Sequence, residues 1–237
     1  MTLPVTVVVP AHNAASTIAS TLVSLGRPER IIVVDDRSSD DTVLEVGRSG
    51  AAVEVIESAR PGPGAARNQG AALVSTPYIA FCDADDQWVS GRLEDDVDVL
   101  GRRPDVDILL GSTRYVAEDA RLLAGHAFQN DTHSQVIAHF GAATMRTEAF
   151  RRVGPIREDR ANFEDLEWFM RARDLDVALV THDRIVQHRL MHESSTSHRN
   201  PGQPLDLLEV LAESVRRRRV TGVQPRSFRE SLDEGIR

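Results

Sequence analysis

Apolar, β-branched residues fall in short runs at residues 5–9, 31–34, 53–56 and 78–82, and between the runs apolar positions recur at helical spacing. Ile18, Leu22 and Leu25 mark one such stretch within residues 14–25. The cap-like cluster Ser38-Ser39-Asp40 opens a second over residues 40–46. Strands alternating with helices in this way predict a parallel sheet covered by helices. In an open sheet of that kind ligands bind outside the carboxyl ends of the strands. The loops after Val9, Val34 and Cys82 are therefore expected to share one crevice.

Beyond Pro104 the pattern becomes mixed. A strand is expected over residues 107–110, a Gly-Ala-rich run covers 140–145, and a helix is expected over 164–173. Two further strands are expected at 177–180 and 185–187, followed by a polar loop over 192–203. A last amphipathic helix is expected over 205–219, with Leu207, Leu208, Leu211 and Val215 on one face and Gly222 just past its end. There is no internal repeat and no low-complexity segment.

A chain of 237 residues with 41% hydrophobic content is long enough to bury a full core. Its formal charge of -8, from 36 acidic against 28 basic residues, argues against a general nucleic-acid binder, which carries a basic face to neutralise phosphates. A nucleotide can still bind an acidic protein through a divalent cation. Cys82 is the single cysteine, so no intramolecular disulfide can form, which suits a cytoplasmic address. Its apolar surroundings make it a buried strand residue with no catalytic part. Residues 1–13 show no export signal, because their apolar run closes at once at Pro10. No apolar stretch approaches the roughly 20 residues a membrane span needs, which leaves only peripheral membrane contact open.

The strongest chemical signal is Asp83-Ala84-Asp85-Asp86, set directly after a buried-strand pattern. Three carboxylates in four positions repel one another unless a hard cation such as Mn²⁺ or Mg²⁺ sits among them and bridges to diphosphate oxygens. The bland alternative is an acidic, helix-capping loop; position at the carboxyl edge of the sheet favours the metal. Asp35-Asp36 ends the second strand, where an acidic side chain can accept from a base N–H or a ribose hydroxyl. Asp40, five residues on, reads as the cap of the next helix. Pro10-Ala11-His12-Asn13 closes the first strand in the same crevice, with His12 a candidate to lie against a base and Asn13 equally well a turn residue. The run from Gly62 to Gly70 lacks the third glycine of a dinucleotide loop at the needed spacing and follows the third strand pattern rather than the first. It reads instead as a Gly-Pro-Gly turn into a small-residue helix, one turn into which Arg67 can reach the acidic cluster or a bound donor.

Four segments in order, Val7-Val8-Val9-Pro10-Ala11-His12-Asn13, Ile31 to Thr42 with its Asp35-Asp36 pair, Gly64-Ala65-Ala66-Arg67-Asn68-Gln69-Gly70 and Asp83-Ala84-Asp85-Asp86, resemble the family 2 glycosyltransferases of GT-A fold. Each piece alone is weak; the four in register are specific. The resemblance is close from Val5 to about Trp88 and looser to about Ser197. It implies an α/β, GT-A architecture: a Rossmann-like, mostly parallel sheet flanked by helices, a mixed acceptor-side region and a C-terminal helix. The implied division is a glycosyltransferase domain over residues 1–200, with a nucleotide-binding half at 1–105 and an acceptor half at 106–200, then a helical extension at 201–237. The implied activity is metal-dependent, inverting transfer from a nucleotide-sugar donor, often a UDP-sugar. Asp36 and the loop from Pro10 to Asn13 would then serve the nucleoside, Asp83 with Ala84 the ribose side, and Asp85 the metal.

Asn162-Phe163-Glu164-Asp165 resembles the family's Glu-Asp motif, in which the aspartate, here Asp165, removes the acceptor proton. Inversion by in-line displacement requires such a base on the acceptor side. Without the upstream motifs, Glu164 and Asp165 would read as a helix start complementing the dipole. With them, Asp165 is the base and Glu164 an acceptor-side support. The segment from Gln187 to Ser197 resembles the one that closes over the donor, so His192 is the candidate to complete the metal site and His188 its competitor. His126, His133, His139 and His198 show no paired spacing and read as surface or packing residues. Acceptor contacts are expected from the variable loops around Trp88, residues 113–132 and Asn162. A saccharide, a lipid-linked sugar, a peptide or a small molecule would all serve as acceptor.

A Gln-x-x-Arg-Trp motif, common in processive relatives, does not occur in the chain, which favours transfer of a single sugar. Arg216 to Arg219 read as a solvated helix end rather than a lipid contact. The rival readings are a nucleotidyltransferase making sugar nucleotides and an inactive nucleotide-sugar-binding protein, with an oxidoreductase weakest. The first would want a glycine-rich basic loop after the first strand, and the second would fit better without Asp85 and Asp165.

Overall fold

The computed structural model describes residues 2–117, 119–123, 133–160, 162–191 and 204–222. The first half runs β1 (Leu3–Ala11), α1 (Ile18–Ser24), β2 (Pro28–Asp35), α2 (Thr42–Arg48), β3 (Glu54–Glu57), α3 (Pro63–Ala72) and β4 (Tyr78–Phe81), then the short β5 (Asp86–Trp88) and α4 (Arg92–Arg102). The second half adds β6 (Ile108–Ala117), β7 (Ser134–Val136), a 3-10 turn at Phe140–Ala142, β8 (Ala143–Arg146), α5 (Thr147–Val153), α6 (Glu164–Asp174), β9 (Leu179–Met191) and α7 (Pro204–Thr221).

One sheet runs through both halves in the order β3-β2-β1-β4-β8-β6-β9-β5, with β7 paired to β6. The first four strands are parallel, as the alternating pattern predicts. From β4 onward the sheet is mixed: β8 is antiparallel to both β4 and β6, while β6 and β9 are parallel. Residues 177–180 and 185–187 do not form two strands as expected. Residues 179–180 and 185–187 instead belong to one strand, β9, whose register against β6 shifts near Ser112. That irregularity absorbs the polar stretch around Asp183 without ending the strand.

Alternation along β1 divides the core. Val5, Val7 and Val9 face α1, α2 and α4, where they meet Ile18, Leu22, Val46 and Leu100. Val8 faces the opposite layer, packed with Ala66 of α3, Phe150 of α5 and Trp168 of α6. Gly70 lets α3 lie directly on the sheet, because a Cβ there would stand 2.4 Å from Val8 Cγ1. The second layer is rich in aromatics: the Phe140 ring lies 5.1 Å from Phe81 and 5.2 Å from Trp168, and the Trp168 indole donates to Gly154 O. This cluster fixes α6 one turn after its amino end.

The last helix docks through a different face from the one its sequence suggests. Val210 and Ser214 are fully buried, whereas Leu208, Leu211 and Val215 point outward. Ser214 Oγ donates to Asp174 Oδ1, Arg217 Nε donates to Asp174 Oδ2, and Arg157 pairs with Glu213. Polar anchors on α6 thus set the helix's rotation against its apolar stripe. No helix among the described residues is long and apolar enough to cross a membrane.

Candidate active site

The carboxyl ends of β1, β2 and β4, three adjacent parallel strands, lie side by side at one edge of the sheet. Asn13, at φ +51°, turns the chain after β1; its Oδ1 accepts from Ser39 N–H and its own N–H donates to Ser38 Oγ. Asn13 is therefore the turn that ties the first loop to the second. His12 Nδ1 donates to the carbonyl of Asp36 over 2.7 Å, and Asn13 Nδ2 donates to His12 Nε2. Ala11 is buried, its carbonyl accepting from Asp36 N–H, and Pro10 is half-buried beside it. Asp40 is not the cap residue itself: α2 begins at Thr42 with Asp41 at the cap position, and Asp40, one residue earlier, accepts from the Thr42 N–H and hydroxyl. Asp36 Oδ2 accepts from Gly62 N–H over 2.7 Å, while its buried Oδ1 has no partner. An orphaned buried acceptor at a strand end is what a base N–H or ribose hydroxyl would satisfy.

The second cluster gathers around Arg67. Its guanidinium is buried in α3, donates through Nη2 to Asp83 Oδ1 at 2.6 Å and through Nη1 to Glu164 Oε1 at 3.2 Å, and stands 3.9 Å from Asp165 Oδ1. Burial disfavours its charge, but Asp83, Asp165 and Glu164 more than compensate and hold the proton tightly. Burial likewise works against ionised Asp83, yet Arg67 and then His139 keep its carboxyl well below the usual range. Glu164 is pushed upward by burial and by the neighbouring Asp165. Of the two directions open to Arg67, the chain takes the acidic cluster, where it joins the donor-side carboxylate to the Glu-Asp pair at the start of α6.

Asp165 sits just inside α6, after Phe163 bends the backbone at φ +59°. Its Oδ2 accepts from the Phe140 N–H at 3.1 Å, and its Oδ1 is buried with no hydrogen-bond partner. One carboxylate oxygen is thus fixed by a hydrogen bond, and the other, 3.9 Å from Arg67 Nη1, makes none. That is the arrangement a proton acceptor needs.

The acidic run after β4 does not act as one group. Asp86 turns into the core on β5, accepts from Leu190 N–H, and its carboxyl is pushed well up by burial against the pull of Arg189. Asp83 is committed to Arg67, and Ala84 is buried with its carbonyl accepting from Thr21 Oγ1. Asp85 remains half-buried at the strand end. Among the described residues no three His, Cys, Asp or Glu side chains are grouped to hold an ion. This donor set fits a cation shared with phosphate oxygens, which takes only one or two protein carboxylates, rather than an all-protein cage. His192 lies outside the described residues, as do His126 and His198. His188 is on β9 opposite Arg114, its imidazole lowered by burial and by that arginine.

Two expectations change. Trp88 is not a loop contact but a buried residue of β5, covered by the Arg92 guanidinium 4.1 Å from its ring. His139 is not a surface or incidental packing residue: it is buried, with Nε2 3.5 Å from Asp83 Oδ2 and 3.6 Å from Asp165 Oδ2. A lone histidine far from other polar motifs in the chain carries no periodic signal of such a place. Cys82 is fully buried, its thiol raised by burial and by Asp86.

The model of the family described as Glycosyl transferase family 2 matches residues 6–154. An uncharacterized glycosyltransferase of Mycobacterium bovis is 35% identical over 113 residues, which cover 48% of this chain and 50% of that protein. The chain spans about half the length of the curated relatives it matches. Among solved structures, S. aureus TarS 1-349 in complex with UDP-GlcNAc superposes with a TM-score of 0.71 at 20% identity, over 92% of this chain and 66% of that one. The mannosyltransferase PcManGT from Pyrobaculum calidifontis, in complex with GDP-Man and Mn²⁺, gives 0.68 at 20% identity, over 91% and 65%. The shared fold is GT-A, a mixed α/β sheet flanked by helices.

Proposed function

The chain belongs to glycosyl transferase family 2, and from that premise we propose that it moves a single sugar from a nucleotide diphosphate sugar, a UDP-sugar, to an acceptor hydroxyl with inversion. The observation that carries this reading is Asp165, whose Oδ2 is pinned by the Phe140 N–H while its buried Oδ1 has no partner. The family match ends at residue 154, ahead of Asp165, so geometry and the Glu164-Asp165 motif support the base.

Residues 1–105 hold the donor and residues 106–200 bring the acceptor. Asp36 Oδ1 accepts from the base or ribose, with His12 and the loop from Pro10 to Asn13 alongside. Asp83, ionised and braced by Arg67, lies on the ribose side next to Ala84. Asp85 would hold Mn²⁺ or Mg²⁺, which when bound neutralises the leaving diphosphate. PcManGT carrying both GDP-Man and Mn²⁺ supports a cation of that kind. Asp165 Oδ1 takes the acceptor proton as the acceptor oxygen forms its bond to the anomeric carbon. The bond from that carbon to the diphosphate oxygen breaks on the opposite face, and its electron pair leaves with the nucleoside diphosphate. Glu164 supports the acceptor side from the same helix turn.

The test is a thermal-shift panel of UDP, GDP, UDP-glucose, UDP-GlcNAc and GDP-mannose, each with Mn²⁺, Mg²⁺ or chelator. A ligand that binds only the folded state raises the melting point. A uridine-specific, metal-dependent rise supports the reading. No rise with any nucleotide, or one indifferent to chelator, overturns donor or metal respectively.

A further inference from the structure

The reaction as derived gives no part to His139, although its buried ring touches both working carboxylates. Its Nδ1 accepts the Gly141 N–H at 3.0 Å and lies 3.3 Å from Gln187 Nε2, which also donates to Thr113 Oγ1. A nitrogen that accepts an N–H carries the lone pair, so the ring proton sits on Nε2. Gly141 makes the tight fold possible: a Cβ there would stand 2.5 Å from Gln187 Oε1 and 2.8 Å from the His139 ring. The ring is thus locked in tautomer as well as in place, and its one N–H lies between Asp83 Oδ2 and Asp165 Oδ2.

The next backbone N–H, that of Phe140, reaches the same Asp165 Oδ2. The Phe140 N–H thus holds one oxygen of the base, the His139 ring stands 3.6 Å from that same oxygen, and Oδ1 makes no hydrogen bond, with Arg67 Nη1 3.9 Å away. We propose that His139 is a positioning residue of the transfer reaction. Its Nε2–H sets the spacing of Asp83 and Asp165, so that Oδ1 of the base meets the acceptor where the donor's sugar carbon lies. This rests on the assignment of Asp165 as base. Since both ring nitrogens are engaged and Nε2 already holds a proton, His139 does not compete for the acceptor proton. Glutamine places an amide N–H near the position of Nε2, whereas phenylalanine keeps the ring volume without the donor.

Two measurements test it. Histidine ¹⁵N shifts of the wild type, with the His139 signal assigned by its loss in His139→Gln, should show the Nε2–H tautomer; an Nδ1–H signal overturns the proposal. Single-turnover release of nucleotide is then followed with Mn²⁺, water as acceptor, and UDP-glucose, UDP-GlcNAc and GDP-mannose in parallel, beside an isotherm for UDP and GDP. His139→Phe should slow release about 10- to 100-fold while nucleotide affinity stays within about twofold, the scale expected for misplacing a base by about an ångström. His139→Gln should recover most of that loss. The double variant His139→Phe/Asp165→Asn should be no slower than Asp165→Asn alone, since the histidine acts through the base. A wild-type rate in a folded His139→Phe, or a rate loss matched by lost nucleotide affinity, overturns the positioning role and leaves the base untouched. A wild-type rate in Asp165→Asn overturns the base itself, whatever His139 does.

Discussion

Arg67 and Asp83, sixteen positions apart in the chain, meet at 2.6 Å where the start of α3 faces the end of β4. The same guanidinium reaches Glu164 of α6, so one buried cation serves three carboxylates drawn from both halves of the sheet. Breaking a buried pair leaves an uncompensated charge, and the expected cost of Arg67→Met is about 3–5 kcal/mol at neutral pH. Asp83 is held below its unfolded value, so its contribution is full above about pH 4 and is lost as pH falls through the lower folded value. Without Arg67, only His139 and Arg189 oppose burial, the Asp83 carboxyl rises, and acidification that protonates it relieves part of the variant's loss. Urea melts at about pH 7 and about pH 4.5 should show the gap between wild type and variant narrowing at the lower pH. An unchanged gap would mean that the ion pair is not the source of the loss.

Asp165→Asn keeps the shape of the base and removes its basicity. General-base catalysis contributes about 10² to 10⁴ in rate, so transfer should fall by that order while nucleotide affinity stays near wild type. Glu164→Gln should do less harm, because Glu164 is already occupied by Arg67. Single-turnover transfer with a donor-binding isotherm for both variants is the measurement. If Glu164→Gln is the dead variant, the base lies one residue earlier.

Asp85→Ala should abolish the tightening of UDP binding by Mn²⁺, since Asp83 and Asp86 are committed to Arg67 and to the core. Calorimetry with UDP, with and without Mn²⁺, reads this directly. A variant that keeps the full response to the metal would place the ion elsewhere.

The docking face of α7 predicts an inversion of the simple amphipathic rule. Val210→Asp places an unpaired carboxylate in a fully buried position and should lower stability by several kcal/mol or release the helix. Leu208→Ser, on the outward face, should stay within about 0.5 kcal/mol. Thermal melts of the two variants decide it; the reverse ranking would mean the helix is rotated in solution.

The sequence by itself determined the parallel half of the sheet, because alternation and strand-end chemistry are local: β-branched runs, Asp36, Asp83 and the Glu164-Asp165 pair all sit where their short-range patterns place them. It also made Cys82 a core residue, for the same reason. Tertiary structure decided what depends on partners distant in the chain. Two expected strands fused into β9 because β6 pairs with both across a register shift at Ser112, and α7 turned Leu208, Leu211 and Val215 outward because Asp174 and Glu167 of α6 claim Ser214 and Arg217. The acidic run divided into a braced Asp83, a half-buried Asp85 and an inward Asp86 once Arg67 and Leu190 were brought near. His139 became part of the site only because Gly141 allows its ring to fold between two carboxylates from β4 and α6. A side chain whose role is fixed by two long-range neighbours leaves no period and no spacing in the sequence to announce it.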